Sequence, residues 1–297
     1  MANNAPKLVR FTKGLKVKRK VFDIHTHIGW MDGFKYYGLP EPVNPTIYTD
    51  DDRKAKLDIM HSLGVERSVV LSNYGIPVPT QPFTLNSVVC ESVVGHSDRR
   101  LIGGIWFSPM LKMKEENEKA LQLAGEDNIR ILKATCLLGG TWNPEEWDAE
   151  TAAMWEQIIA TCEKYNHVMM LHTSPGGGSD VSNAIKFIYK YGKRIKVHVA
   201  HAGGGVSGHI KFVPEFFKLI REGYKVYTDT SWAVGFGPRY LFEEMLKQGI
   251  GEDRVLFGSD EPWSDFWSEY YKLDGLGLPE DLKQKVFWDN AEKLYGA

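Results

Sequence analysis

The chain has 297 residues, with 36 Lys and Arg against 38 Asp and Glu, a formal net charge of −2, and 43% hydrophobic residues. That balance is ordinary for a soluble globular protein and gives no reason to expect nucleic acid or an anionic membrane surface as a partner. No apolar run approaches the roughly 20 residues a membrane helix needs, and the length permits one or two domains with a large core.

Residues 1–20 are basic and polar (Lys7, Arg10, Lys13, Lys16, Lys18, Arg19, Lys20) and lack the apolar stretch of a signal-peptide core, so they read as an N-terminal extension, a solvated arm or a short edge hairpin. Cys90, Cys136 and Cys162 are odd in number and widely spaced. They read as free thiols of a reducing compartment, and a cytoplasmic location is the default expectation.

From Val21 onward, strand-like and helix-like segments alternate. Runs rich in β-branched and apolar residues fall at Val21–Ile24, Arg67–Leu71, Leu101–Phe107, Ile129–Thr135, His167–Leu171, Ile195–Ala200, Lys225–Thr228 and Arg254–Gly258. Amphipathic stretches of helical length lie at Arg53–Leu63, Lys114–Leu123, Thr151–Tyr165, Asp180–Tyr191 and Arg239–Lys247, with a closing helix from Pro279 to Tyr295. No Pro-, Gly- or Ser-rich boundary divides them, and no glycine-rich dinucleotide fingerprint follows the first strand. The pattern predicts one α/β domain over residues 21–297, a parallel (β/α)8 TIM barrel rather than an open doubly wound sheet.

The first strand ends in Asp23-Ile24-His25-Thr26-His27. Side chains on a strand repeat every two residues, so two imidazoles converge on one point, a natural start for a transition-metal site. Such pairs also occur on strands by chance, and the other strand ends carry the argument. His172 ends the fifth strand, His201 the sixth and Asp260 the eighth, where barrel chemistry gathers. His198 and His201 stand three apart, so an uninterrupted strand sends them to opposite faces. His201, beside Gly203-Gly204-Gly205, is assigned to the site and His198 to the layer between barrel and helices. His61, His96 and His167 read as structural, and His209 as an outside candidate for substrate contact.

Taken together, Asp23-Ile24-His25-Thr26-His27, Leu171-His172, His201-Ala202-Gly203-Gly204-Gly205, Phe257-Gly258-Ser259-Asp260 and the closing Asp289-Asn290-Ala291-Glu292 resemble the amidohydrolase superfamily of metal-dependent barrel enzymes. The resemblance is strongest to its amidohydrolase-related branch, which includes aminocarboxymuconate-semialdehyde decarboxylase and the resorcylate decarboxylases. It implies one divalent metal, usually zinc, held by His25, His27, His172 and Asp260, with His201 as a further acid/base. Manganese or iron would suit the same ligands. Such a metal lowers the pKa of bound water towards about 7. Asp260 could then accept that proton and His201 protonate the leaving group. Some relatives bridge two metals through a carboxylated lysine late in the fourth strand. Lys133 precedes Thr135 and Cys136 and is expected below the metal plane, as an ion-paired lysine near the site.

The strand-end loops also carry Trp30, Trp142, Trp232 and Trp263. Their flat apolar faces are expected to line the mouth and stack on a planar or cyclic small-molecule substrate, although some could serve only to pack loops. No arginine closely follows the glycine run, whereas decarboxylase relatives use a cation to hold a substrate carboxylate. Hydrolysis of a C–O or C–N bond by metal-activated water is therefore the favoured reading, with non-oxidative decarboxylation of an aromatic or unsaturated acid as the alternative. A non-enzymatic scaffold is a third. Lys133, His209, Lys211, Arg239 or the second subunit of a homodimer could supply the missing charge.

Overall fold

The computed structural model describes residues 15–29, 52–72 and 81–296. Eight strands lie side by side in chain order, all parallel: β1 (Phe22–Ile28), β2 (Arg67–Ser72), β3 (Leu101–Trp106), β4 (Ile129–Ala134), β5 (Val168–Leu171), β6 (Lys196–Val199), β7 (Val226–Asp229) and β8 (Val255–Leu256). The sheet closes on itself, because Ile24 N–H donates to the Phe257 carbonyl at 3.1 Å and Asp260 N–H to the His25 carbonyl at 2.7 Å. Helices α1 (Asp52–Leu63), α2 (Gln81–Val93), α3 (Lys114–Leu123), α4 (Ala149–Lys164), α5 (Val181–Tyr191), α6 (Gly205–Arg221) and α7 (Gly237–Gln248) follow successive strands. After β8 come α8 (Phe266–Asp274), α9 (Glu280–Gln284), a π-turn over Lys285–Asp289 and α10 (Asn290–Tyr295). This is the (β/α)8 barrel predicted from the alternation.

Two buried layers follow from strand alternation. Phe22, Ile24, Val69, Leu71, Ile102, Ile131, Val168, Met170 and Leu256 fill the barrel, while Val70, Leu132, Met169, Val197 and Val199 face the helices. Gly104 makes room inside, since a Cβ there would collide with the Leu71 side chain. The pairing of β1 with β2 shifts register between Asp23 and Thr26. Such a bulge re-aims side chains, which is why Phe22 and Ile24 pack inside low in the barrel while His25 and His27 take over the interior face above them.

The C-terminal helix closes the barrel. Ala291 and Tyr295 join the inner layer beside Phe22 and Val168, at the beginnings of strands. Asn290 pins α10 by donating to the carbonyls of Glu252 at 2.7 Å and Val255 at 2.8 Å. Residues 15–20 lie against α8 and α9: Lys18 N–H donates to the Tyr270 hydroxyl, and Lys18 and Arg19 pair with Asp274 at 2.9 and 2.7 Å. The described end of the extension, residues 15–20, is thus tied to these helices by hydrogen bonds and ion pairs while Leu15, Lys16, Lys18 and Lys20 stay exposed.

Three helices were not foreseen. The α2 segment has no clean apolar stripe, α6 opens in the glycine run and carries Pro214 inside it, and α8 is dominated by aromatic residues that resemble strand or loop. Its start is nonetheless encoded, because the Asp265 carboxylate caps it by accepting the Ser268 N–H at 2.8 Å. Cys90, Cys136 and Cys162 are unpaired, and no described helix is long and apolar enough to cross a membrane.

Replacing Asn290 with alanine leaves the buried Val255 carbonyl and the half-buried Glu252 carbonyl without this donor. Asn290→Ala should cost about 1–3 kcal/mol in urea unfolding, with an unchanged dependence on denaturant.

Candidate active site

The strand ends on the carboxyl side of the barrel surround a cavity of about 410 Å³. His25, His27, Lys133, His172, His201 and Asp260 form its floor, and Trp106, Trp232, Trp263, Leu137 and Val234 its walls. The five strand-end groups singled out in the sequence are thus brought together. Ligand atoms of His25, His27 and Asp260 lie within 4.8 Å of one another. His172 stands beside this trio, with its Nδ1 3.2 Å from His201 Nε2.

The hydrogen bonds decide which nitrogen of each ring is free. His25 Nδ1 faces the Asp229 carboxylate at 3.1 Å, and His27 Nδ1 faces the Ser72 carbonyl at 2.9 Å. Both partners are acceptors, so both Nδ1 atoms carry the hydrogen and a neutral ring keeps a lone pair at Nε2. These two Nε2 atoms point at one Asp260 oxygen, at 3.2 and 3.0 Å. Burial, with the nearby Lys133, holds the His25 imidazole down to about 3, so it stays neutral. Burial alone would raise Asp260, but His25, His27 and His201 hold it below the ordinary carboxylate range. Two imidazole lone pairs and an anion therefore meet where only a cation relieves them. The donor set fits a divalent metal.

Asp229, which ends β7, was missed by reading that strand as stopping at Thr228. Its Oδ2 accepts from His25 and from His198 Nε2 at 2.9 Å. Its Oδ1 accepts the backbone N–H groups of His201 and Ser231, each at 3.0 Å, and the Ser231 hydroxyl at 2.6 Å. Burial would raise this carboxyl, yet His25 and His198 keep it well below its usual range. His201 Nδ1 donates in turn to Ser231, leaving Nε2 on the cavity side.

Several expectations need correction. His198 does not face the helices. Val197 and Val199 do, and His198 between them points into the barrel. Counting parity on to His201 fails because β6 stops at Val199 and His201 adopts φ of 64°. Lys133 is not ion-paired: its ammonium faces His25 Nε2 at 3.4 Å and lies over the Trp106 ring, and no carboxylate among the described residues pairs with it. Burial lowers it to about 8. His209 is no substrate contact but a buried staple, donating to the Ala202 carbonyl at 2.9 Å and accepting the Val234 N–H at 3.2 Å.

The tryptophans divide. Trp232, 47% exposed, and Trp263 line the cavity, whereas Trp142 is wholly buried against Trp155 and donates to the His172 carbonyl at 3.1 Å. Trp30 lies outside the described residues. Trp106, at the end of β3, lines the wall instead and donates to the Ser72 carbonyl at 3.0 Å. The rule that located His172 and Asp260 at strand ends would have found it. Of the other cations considered, Lys211 pairs with Asp180 and Arg239 with Glu243, and neither lines the cavity.

Residues 22–297 match the model of the amidohydrolase family, and the chain belongs to that family. No curated protein matches it. Its fold is that of a 2,6-dihydroxybenzoate decarboxylase solved with 2,6-dihydroxybenzoate, at 14% identity and a TM-score of 0.68 over 94% of this chain and 100% of that one. A dihydroxybenzoic acid decarboxylase from Polaromonas sp., solved with manganese and 2-nitroresorcinol, gives 15% identity and 0.65 over 94% and 97%. The 5-carboxyvanillate decarboxylase of Sphingomonas paucimobilis gives 14% and 0.61 over 93% and 99%.

Asp229→Asn would turn an amide NH2 towards donors that need an acceptor. It should destabilise the metal-free protein by about 3 kcal/mol or more in chemical denaturation, as loss of a buried, fully bonded charge does.

Proposed function

We propose that the protein is a metal-dependent carboxy-lyase that releases carbon dioxide, without an oxidant, from a small aromatic or unsaturated carboxylic acid. The observation that carries this reading is Lys133. Hydrolysis is the natural expectation when no cation is available to hold a carboxylate, and here a buried ammonium without a carboxylate partner among the described residues lines the cavity beside His25. The decarboxylases that share the fold act on hydroxylated benzoates, which fits a cavity walled by Trp106, Trp232 and Trp263.

His25, His27 and Asp260 would hold the ion, with His172 beside them. When bound, the ion supplies a fixed positive charge that draws electron density from the substrate. Lys133 binds the carboxylate, and the indoles orient the ring by stacking. The apolar walls strip water from the carboxylate, which favours spreading its charge into the ring. The bond between ring and carboxyl carbon breaks, its electron pair stays on the ring carbon, and carbon dioxide leaves. His201 first takes a proton from water at its free Nε2 and then passes it to that ring carbon, while Ser231 and Asp229 steady the intervening imidazolium. Zinc, iron and manganese all suit the ligands, and manganese is the ion in the Polaromonas decarboxylase.

Hydrolysis is the second reading, favoured by the family match itself. Metal-loaded protein offered hydroxybenzoates should release carbon dioxide. Incorporation of oxygen-18 from water at a cleaved ester, lactone or amide, without carbon dioxide, would overturn the proposal. Lys133→Met should keep the metal and lower kcat/KM about 100-fold, the worth of one charge-assisted hydrogen bond made in a dry site.

Purified protein should carry close to one divalent ion per chain by elemental analysis. His27→Ala should lose it, and full occupancy in that variant would remove His27 from the ligand set.

A further inference from the structure

Below the candidate site, a file of buried polar groups runs down the barrel axis, and the proposed reaction does not use its lower half. The Tyr295 hydroxyl lies 2.8 Å from His198 Nδ1, His198 Nε2 lies 2.9 Å from Asp229 Oδ2, and the same oxygen lies 3.1 Å from His25 Nδ1. All four side chains are fully buried. The directions of these bonds follow from chemistry. An ionised carboxylate only accepts, so His198 Nε2 carries the hydrogen. A neutral imidazole then accepts at Nδ1, and Tyr295 donates. Burial keeps that phenol well above its usual range, so it remains a donor.

The geometry matters because Asp229 Oδ2 serves two imidazoles at once. His198 holds it from below while His25 uses it from above. Oδ1 is committed to Ser231 and the His201 backbone, which leaves the carboxylate no alternative orientation that satisfies all of its donors. Val197 and Val199 pack against the helices on either side of His198, which fixes its inward direction. Tyr295 reaches it from α10, whose place is set by Asn290.

We propose that Tyr295 and His198 are positioning residues that act through Asp229 to keep His25 in its Nδ1–H form, with the Nε2 lone pair turned to the site. The C-terminal helix thereby sets the chemistry of the opposite end of the barrel. The metal-affinity part of this inference rests on reading His25 as a ligand, whereas the tautomer part does not.

Histidine nitrogens of the metal-free protein, labelled with nitrogen-15 and followed by long-range proton–nitrogen NMR, report the tautomers directly. His25 should be in the Nδ1–H form in the wild type and become a mixture in His198→Ala. Affinity of the metal-free chain for Zn2+ or Mn2+ should fall about 10–100-fold in that variant, the usual effect of losing a group that orients a ligand. Tyr295→Phe keeps the packing and should fall by less, about threefold to tenfold. His198→Gln, which places an amide N–H near the lost Nε2–H, should restore both the tautomer and the affinity. If all three variants only lower the thermal midpoint and leave the His25 tautomer as in the wild type, the inference is wrong. Should the wild type bind neither ion, the ligand reading fails, and the tautomer shift alone decides for or against Tyr295 and His198.

Discussion

The geometry of the site depends on one buried anion. Asp229 accepts from the rings of His25 and His198, from two backbone N–H groups and from the Ser231 hydroxyl. An isolated carboxylate in this position would be protonated or would unfold the barrel. Surrounded by five donors, it stays ionised, and the cost of burial is offset by charge-assisted bonds each worth about 1.5–3 kcal/mol. Because a carboxylate cannot donate, its presence dictates where every neighbouring hydrogen resides. His25 is left with a lone pair at Nε2, and His201, through Ser231, with a cavity-facing Nε2. The site's acid–base character is thus a consequence of the charge beneath it.

That charge has to be placed accurately, and the backbone does the placing. Where β8 meets β1, a Cβ on Gly258 would stand 2.8 Å from the His25 Cβ, so only glycine lets the barrel close beside the site. The bulge in β1 then swings His25 and His27 inward. His201, Ala202, Trp232 and Asp260 all adopt φ between 47° and 64°, a conformation that costs non-glycine residues about 1–3 kcal/mol each. Three of these four line the cavity. The strain is tolerated because hydrogen bonds over-determine the turns: His201 N–H to Asp229, His209 to Ala202 and Val234, and Asp260 N–H to His25.

The barrel was legible because alternation of β-branched runs with amphipathic stretches is a local signal repeated along the chain. The cluster of His25, His27, His172, His201 and Asp260 was legible because each closes a strand. What escaped was what local periodicity does not carry. His198 was misplaced by extending strand parity into a left-handed turn that begins three residues later, at His201. Asp229 and Trp106 end strands as visibly as His172 does, but neither sits in a histidine-rich or glycine-rich string. Trp142 looked like a mouth residue because it follows a strand, yet its indole turns back to hold the His172 carbonyl. Tyr295 and His198 are 97 residues apart and meet only because α10 plugs the barrel.

Lys133 is where these lines converge on reactivity. An ammonium beside imidazoles and a metal-binding centre is an unfavourable neighbour for a cation, since it repels both the ion and any protonated ring. Asp229 and Asp260 compensate part of that repulsion and raise its proton affinity, while burial lowers it. The arrangement is electrostatically balanced only when a further anion enters. A neutral ester or amide would bring no such charge. A carboxylate would, and it would be held between Lys133 and the metal centre with its body against Trp106, Trp232 and Trp263. Hydroxide could offer the same charge to a hydrolase, whose cyclic or aromatic substrate would stack on the same indoles, so the walls alone do not separate the two reactions. What sets the proposed carboxylate apart is the buried Lys133 ammonium, with which no carboxylate among the described residues pairs.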